Sequence, residues 1–380
     1  TNPANNSTLV DVSSNIELAF SENIDVESGD IEIRKSSDSS LVESIDVTSG
    51  QVTGTGTNVI TINPTNVFES TTQYYVEIDP SAFDDNSGNS YAGINDKTSL
   101  TFTSEDISPP ILRDSNPLDD TNQVALNSNI ELTFSEPVVV KSGDIEIRKS
   151  SDNSLAESID VTSDKVTGTG TNIIILNPTN DFESTTEYYV LIESTAFDDI
   201  STNSFLGIND NLSLSFTTTD AIFPTLNSSF PVNNSTKIGI DSDIELTFSE
   251  PVVVESGNVE IRKSSDNSLA ESIDVTSSQV NGTGTNVITI NPTNNLESFT
   301  EYYIQIDASA FDDTSGNSFS GINDKISLSF TTADVLSPLI TGPSGITGET
   351  INQIYLKENS YDIFTFLSNE DVTWSISGGD

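Results

Sequence analysis

The 380-residue sequence contains no cysteine, no histidine and no methionine. Without cysteine there is no disulfide framework, no iron–sulfur cluster, no thiolate zinc site and no cysteine nucleophile. Without histidine there is no Ser-His-Asp triad, no HExxH zinc site, no haem histidine and no group that titrates unperturbed near neutrality. Methionine is missing from the first position too, as expected of a processed chain or a fragment. Basic residues are scarce: 13 Lys+Arg stand against 59 Asp+Glu, a formal net charge of −46. Such a charge repels phosphate backbones and anionic lipid surfaces, so no nucleic acid partner and no direct membrane insertion are expected. No apolar run approaches the ~18 residues of a membrane span, and Thr1 does not open a basic region followed by an apolar one.

What the sequence does contain argues against a disordered acidic chain. The hydrophobic share of 34% is concentrated in β-branched and aromatic residues at regular spacing. The segment Ile16–Glu22 recurs as Ile130–Glu136 and Ile244–Glu250, and Phe20, Phe134 and Phe248 stand 114 residues apart. Asp84, Asp198 and Asp312 keep the same interval, as do Gly54, Gly168 and Gly282. Residues 127–220 and 241–334 differ at 25 of 94 positions, which marks recent duplication. A period of 114 is too long for a solenoid repeat and suits an autonomous domain. The junctions SEDISPP, TTDAIFP and TADVLSP each carry one Asp and a Pro, as restricted hinges do.

Within a unit the pattern has period 2. Ile130, Leu132 and Phe134 alternate with Glu131, Thr133 and Ser135, and Ile145 and Ile147 alternate with Glu146 and Arg148. Further apolar pairs at Ile159/Val161, Ile174/Leu176, Val190/Ile192 and Leu214/Phe216, with an edge near Ile111, predict about seven strands. Turn signals separate them at sandwich spacing, and no helical period is sustained. Phe68 precedes Tyr74 by six residues, a pairing repeated as Phe182/Tyr188 and Leu296/Tyr302. This is the tyrosine-corner pattern, in which the hydroxyl bonds to upstream backbone.

The series IxLTFSEPV, GDIEIR, ESTTEYYVxI, AFDDxSGNSxxGI and SLSFTT resembles the bacterial Ig-like repeats of S-layer and large surface-protein type, over residues 1–337. The resemblance implies an all-β chain of tandem Ig/fibronectin-III-like Greek-key sandwiches, arranged as beads on a string. The expected domains are 1–106, 107–220, 221–337 and a remainder, 338–380. That remainder, with Tyr355-Leu356-Lys357-Glu358-Asn359, is similar to the opening of a bacterial cadherin-like domain, whose early Glu is a calcium ligand; this implies Glu358. The later Asp-containing motifs of that family do not follow within the 380 residues, so any such site is incomplete in this sequence.

The densest polar cluster is the loop before the last strand: Phe83–Asp96, Phe197–Asp210 and Phe311–Asp324. Its Asp pairs (Asp84 and Asp85, Asp198 and Asp199, Asp312 and Asp313) are hard oxygen ligands of the kind calcium prefers. The spacing is not that of an EF-hand, and an Asx turn without metal accounts for the same residues. Thr202 replaces Gly88 and Gly316 at a position expected to be left-handed. A shared site draws on the linkers as well. Asp106, Glu136 and Asp198 or Asp199 are placed to meet at one end of a sandwich, as are Asp220, Glu250 and Asp312 or Asp313. Calcium there would neutralise mutual repulsion and stiffen the hinge; solvated turn carboxylates are the alternative. The basic pairs Arg34/Lys35, Arg148/Lys149 and Arg262/Lys263 are expected to pair with Glu on neighbouring strands.

Paired carboxylates serve glycoside hydrolysis in other proteins. Here they sit in loops copied at constant spacing, with no GxSxG and no phosphate-binding glycine loop, so no enzyme is expected. The favoured expectation is a spacer in a surface or secreted, adhesin-like protein outside the cell. Strands of this length give domains of roughly 35–45 Å, and three in line span on the order of 120 Å. The expected partners are neighbouring domains of the same polypeptide and calcium ions. Two other readings stand beside it. One is a glycan- or protein-binding module using Tyr75, Tyr91, Tyr189 and Phe205. The other is an accessory region of a secreted enzyme whose catalytic domain lies elsewhere.

Overall fold

The computed structural model describes residues 1–336 and the paired two-residue strands Ile340–Thr341 and Leu367–Ser368. The chain divides into two compact units, Thr1–Thr219 and Asp220–Asp380. Among the described residues the first holds two β-sandwiches and the second holds one.

Alternation builds each sandwich. In the middle repeat, Ile130, Leu132 and Phe134 turn inward from the strand Ile130–Val140 while Glu131 and Thr133 turn outward. That strand lies between Leu112–Asn116 and Thr171–Leu176, followed by the short strand Val166–Thr167. The facing sheet runs Thr121–Val124, Ser215–Thr218, Glu187–Ile192, Asp144–Lys149, Leu155–Asp160. Its first pair is parallel and the others are antiparallel. Phe134 packs edge-on against Phe205, with ring centroids 5.2 Å apart, and lies 5.3 Å from Phe197. Each fully buried side chain of this size contributes about 1.5–3 kcal/mol.

The repeat has ten strands rather than about seven. Thr121–Val124, Val166–Thr167 and Phe197–Asp199 are too short to show an alternation. A larger difference affects the site. The strand of Ile130 does not end at Phe134 but continues to Val140. Its partner register runs from Thr133↔Ile173 to Val138↔Thr171, so four residues face one in a wide bulge. Beyond the bulge, Phe197–Asp199 pairs with Val138–Val140. Glu136 therefore sits within the strand, in the bulge, and not after it.

One expectation from the repeated motifs holds in every copy. The hydroxyl oxygens of Tyr74, Tyr188 and Tyr302 accept from the backbone N–H of Glu69, Glu183 and Glu297 at 2.8–2.9 Å. The basic pairs meet Glu, but not on neighbouring strands as expected: Arg148 bonds Glu146 two residues away on its own strand at 2.8 Å, and Lys149 bonds Glu183 in the loop before Glu187–Ile192 at 2.6 Å, with equivalents in the other repeats. Arg34 adds a cross-strand pair with Glu77 at 3.2 Å. In the first repeat, Ile16–Val26 has only the bridge Asn2↔Glu17 where Leu112–Asn116 covers the second. Phe20 is accordingly half-buried where Phe134 and Phe248 are buried.

Candidate metal centre

Asp106 reaches the site from the linker. Its Oδ1 accepts from Ser70 Oγ at 2.8 Å and from Ser108 N–H at 3.0 Å. Ser70 Oγ in turn accepts from Ile107 N–H, so the first repeat holds the Asp106 carboxylate and the N–H end of the Asp106–Ile107 peptide. The second repeat grips the same peptide from the other side: Asn203 Nδ2 donates to the Asp106 carbonyl at 3.0 Å. Ile111 and Ser135 then exchange two hydrogen bonds, Ile111 N–H to Ser135 Oγ and Ser135 N–H to the Ile111 carbonyl. The linker is thereby laid along the strand that carries Glu136.

Asp199 arrives on the short strand Phe197–Asp199 and is 2% exposed. Asn203 closes the turn behind it, donating its N–H to Asp199 Oδ1 and its Nδ2 to Oδ2, both at 2.8 Å. Thr202 adopts φ 73°, the left-handed turn expected at that position. Oxygens of Asp106, Glu136 and Asp199 lie within 4.8 Å of one another. Burial raises the Glu136 carboxyl above its ordinary value, and the charges of Asp106 and Asp199 raise it further. A hydrogen bond from Ser135 works weakly against them. None of the ion pairs among the described residues involves these three carboxylates.

The second unit repeats the arrangement with Asp220, Glu250 and Asp313, again within 4.8 Å. Asp313 is 2% exposed, and Asn317 donates to both of its oxygens at 2.8 Å. Asn317 Nδ2 also reaches the Asp220 carbonyl at 3.3 Å. Burial, then Asp313, then Asp220 raise the Glu250 carboxyl, with Ser249 opposing.

In the second and third repeats the second member of the expected Asp pair joins the cluster and the first does not. Asp198 pairs with Lys141 Nζ at 3.3 Å. At the position of Lys141 the third repeat has Glu255, and Asp312 Oδ1 is buried without a hydrogen bond. In the first repeat Asp85 binds Asn89 as Asp199 binds Asn203, but Glu22 is exposed. Among the described residues Asp84 and Asp85 join no such group. Glu358 lies outside the described residues. The aromatic candidates are spent on packing: Tyr75, Tyr189 and Phe205 are 2–6% exposed, and Tyr91 stands edge-on to Phe20 at 5.3 Å. The Asn four residues after the second Asp is visible in all three loops as an oxygen ligand of the calcium type, but the sequence does not show that the amide nitrogen of Asn203 and Asn317 instead donates to the Asp and bridges to the linker carbonyl.

Three tandem Ig-type sandwiches with carboxylates gathered at linker ends define a modular class of protein. Within that class, residues 1–104, 106–218 and 220–332 each match the family model of the bacterial Ig-like domain, and the chain belongs to that family. Among solved structures it is similar to the S-layer protein rSbsC(31-844), with 12% identity and a TM-score of 0.19, over 96% of this chain and 62% of that one. It is also similar to the BSP domain of a biofilm-associated protein (8% identity, TM-score 0.19, 88% and 67% covered). A third is the FN1–FN3 region of chicken CNTN1 (8% identity, TM-score 0.25, 84% and 100% covered). No curated protein matches the sequence.

Proposed function

We propose that this chain is a non-catalytic spacer region of a bacterial surface or secreted protein, and that calcium stiffens its linkers. One observation carries the reading: the Asp106–Ile107 peptide is hydrogen-bonded to Ser70 of one repeat and Asn203 of the next, while its carboxylate faces Glu136 and Asp199. A linker built only as a tether has no use for such bonds. The all-oxygen, three-carboxylate donor set fits a hard cation of calcium type, with backbone carbonyls and water to complete its shell. The ion would be held by Asp106, Glu136 and Asp199, and a second by Asp220, Glu250 and Asp313. It would turn mutual repulsion into attraction across the linker. Membership of the bacterial Ig-like family three times in tandem supports the modular role and a place outside the cell. Calorimetric titration of the whole chain with calcium, paired with small-angle scattering, tests the reading. Two sites and a narrowed distance distribution are expected; no heat and unchanged scattering would sink it.

A further inference from the structure

Asn281-Gly282 is the only Asn-Gly dipeptide in the sequence. It lies at a sheet edge: Val280–Asn281 is a two-residue strand paired only with Thr285–Ile290. Asn281 is exposed, and its side chain takes part in no hydrogen bond among the described residues. Gly282 cannot be exchanged. It adopts φ 100°, and a Cβ there would stand 2.1 Å from the Val287 carbonyl oxygen. The neighbouring repeats solve the same turn with Thr53-Gly54 and Thr167-Gly168, whose hydroxyl side chains offer no carbonyl carbon to attack.

We propose that Asn281 is a site of spontaneous backbone-assisted modification. The Gly282 amide nitrogen, unshielded by any Cβ, gives its proton to hydroxide and attacks Asn281 Cγ. The N–Cγ bond forms, Nδ2 takes a proton from water and so restores the hydroxide, the Cγ–Nδ2 bond breaks and ammonia leaves, closing a five-membered imide. Water then opens the imide. Attack at Cγ restores the main chain and leaves an aspartate. Attack at the backbone carbonyl leaves an isoaspartate, with the main chain running through the former side chain. A two-residue edge strand opens locally more readily than the strands inside the sheet. Either product adds a negative charge opposite Thr289, and the isoaspartate also lengthens the backbone beside Val280, which packs on the core of the third repeat.

The whole chain is incubated at mildly alkaline pH beside a synthetic peptide of residues 277–288, with peptide mapping and ammonia release as readouts. One acidic charge variant is expected, carrying Asp and isoaspartate at position 281. The Asn281→Thr chain, which installs the residue that the other two repeats fold with, is expected to give none. A peptide that converts while Asn281 of the chain stays intact would overturn the proposal. So would a charge variant that maps to another Asn.

Discussion

Replacing Glu136 by Gln separates a structural carboxylate from one kept for a cation. In the calcium-free protein the charge on Glu136 faces Asp106 and Asp199 within 4.8 Å. At that distance two unit charges repel by about 0.9 kcal/mol in bulk water and about 3.5 kcal/mol at an effective dielectric of 20. Glu136 is only partly buried, so solvent screening puts each of the two repulsions in the lower part of that range. Glu136→Gln is therefore expected to stabilise the second repeat by about 1–3 kcal/mol in chelator at neutral pH and low salt. For a domain of this size that raises its melting point by about 4 °C or more. The pH dependence has a definite sign. A carboxyl whose folded pKa is raised costs stability as pH climbs from its ordinary value of 4.5 through the raised one. Variant and wild type should converge in acid and separate toward neutrality. Calcium should reverse the order, because the wild type gains from binding and the variant loses a ligand. Scanning calorimetry in chelator and in calcium reads both effects. A variant that melts at or below the wild type in chelator would refute the reasoning.

Three further outcomes follow from local geometry. Tyr188→Phe leaves the Glu183 N–H without its 2.9 Å acceptor and should cost about 1–3 kcal/mol in urea unfolding. Gly168→Ala brings Cβ within 2.0 Å of the Ile173 carbonyl oxygen, whereas nothing lies within 4 Å of a Cβ at Gly170. The first should cost about 3 kcal/mol or more and the second only the left-handed strain of about 1–2 kcal/mol, a contrast that thermal unfolding resolves. Thr202→Gly relieves a β-branched residue at φ 73° and should stabilise the second repeat by up to about 1 kcal/mol, with no loss of the Asn203 bonds to Asp199.

The sandwich was legible because burial on one face imposes period 2, and Ile130, Leu132 and Phe134 all fall on the buried face. The tyrosine corner was legible for a similar reason: one side chain and a fixed offset define it, as Tyr188 and Glu183 show. The site was only half legible. A bulge has no period, so nothing in the sequence says that the strand runs on to Val140 and carries Glu136 within it. That bulge decides which carboxylate meets the linker. Where Phe197–Asp199 pairs with Val138–Val140, successive side chains alternate. Asp198 is turned toward Lys141, and Asp199 is buried beside Asp106 and Glu136. Adjacent acids that look equivalent in the sequence thus belong to different neighbourhoods. The third repeat makes the separation visible, because Glu255 replaces Lys141 while Asp313 and Glu250 stay in place. Duplication preserved the carboxylates that meet the linker and let the partner of the neighbouring acid change sign.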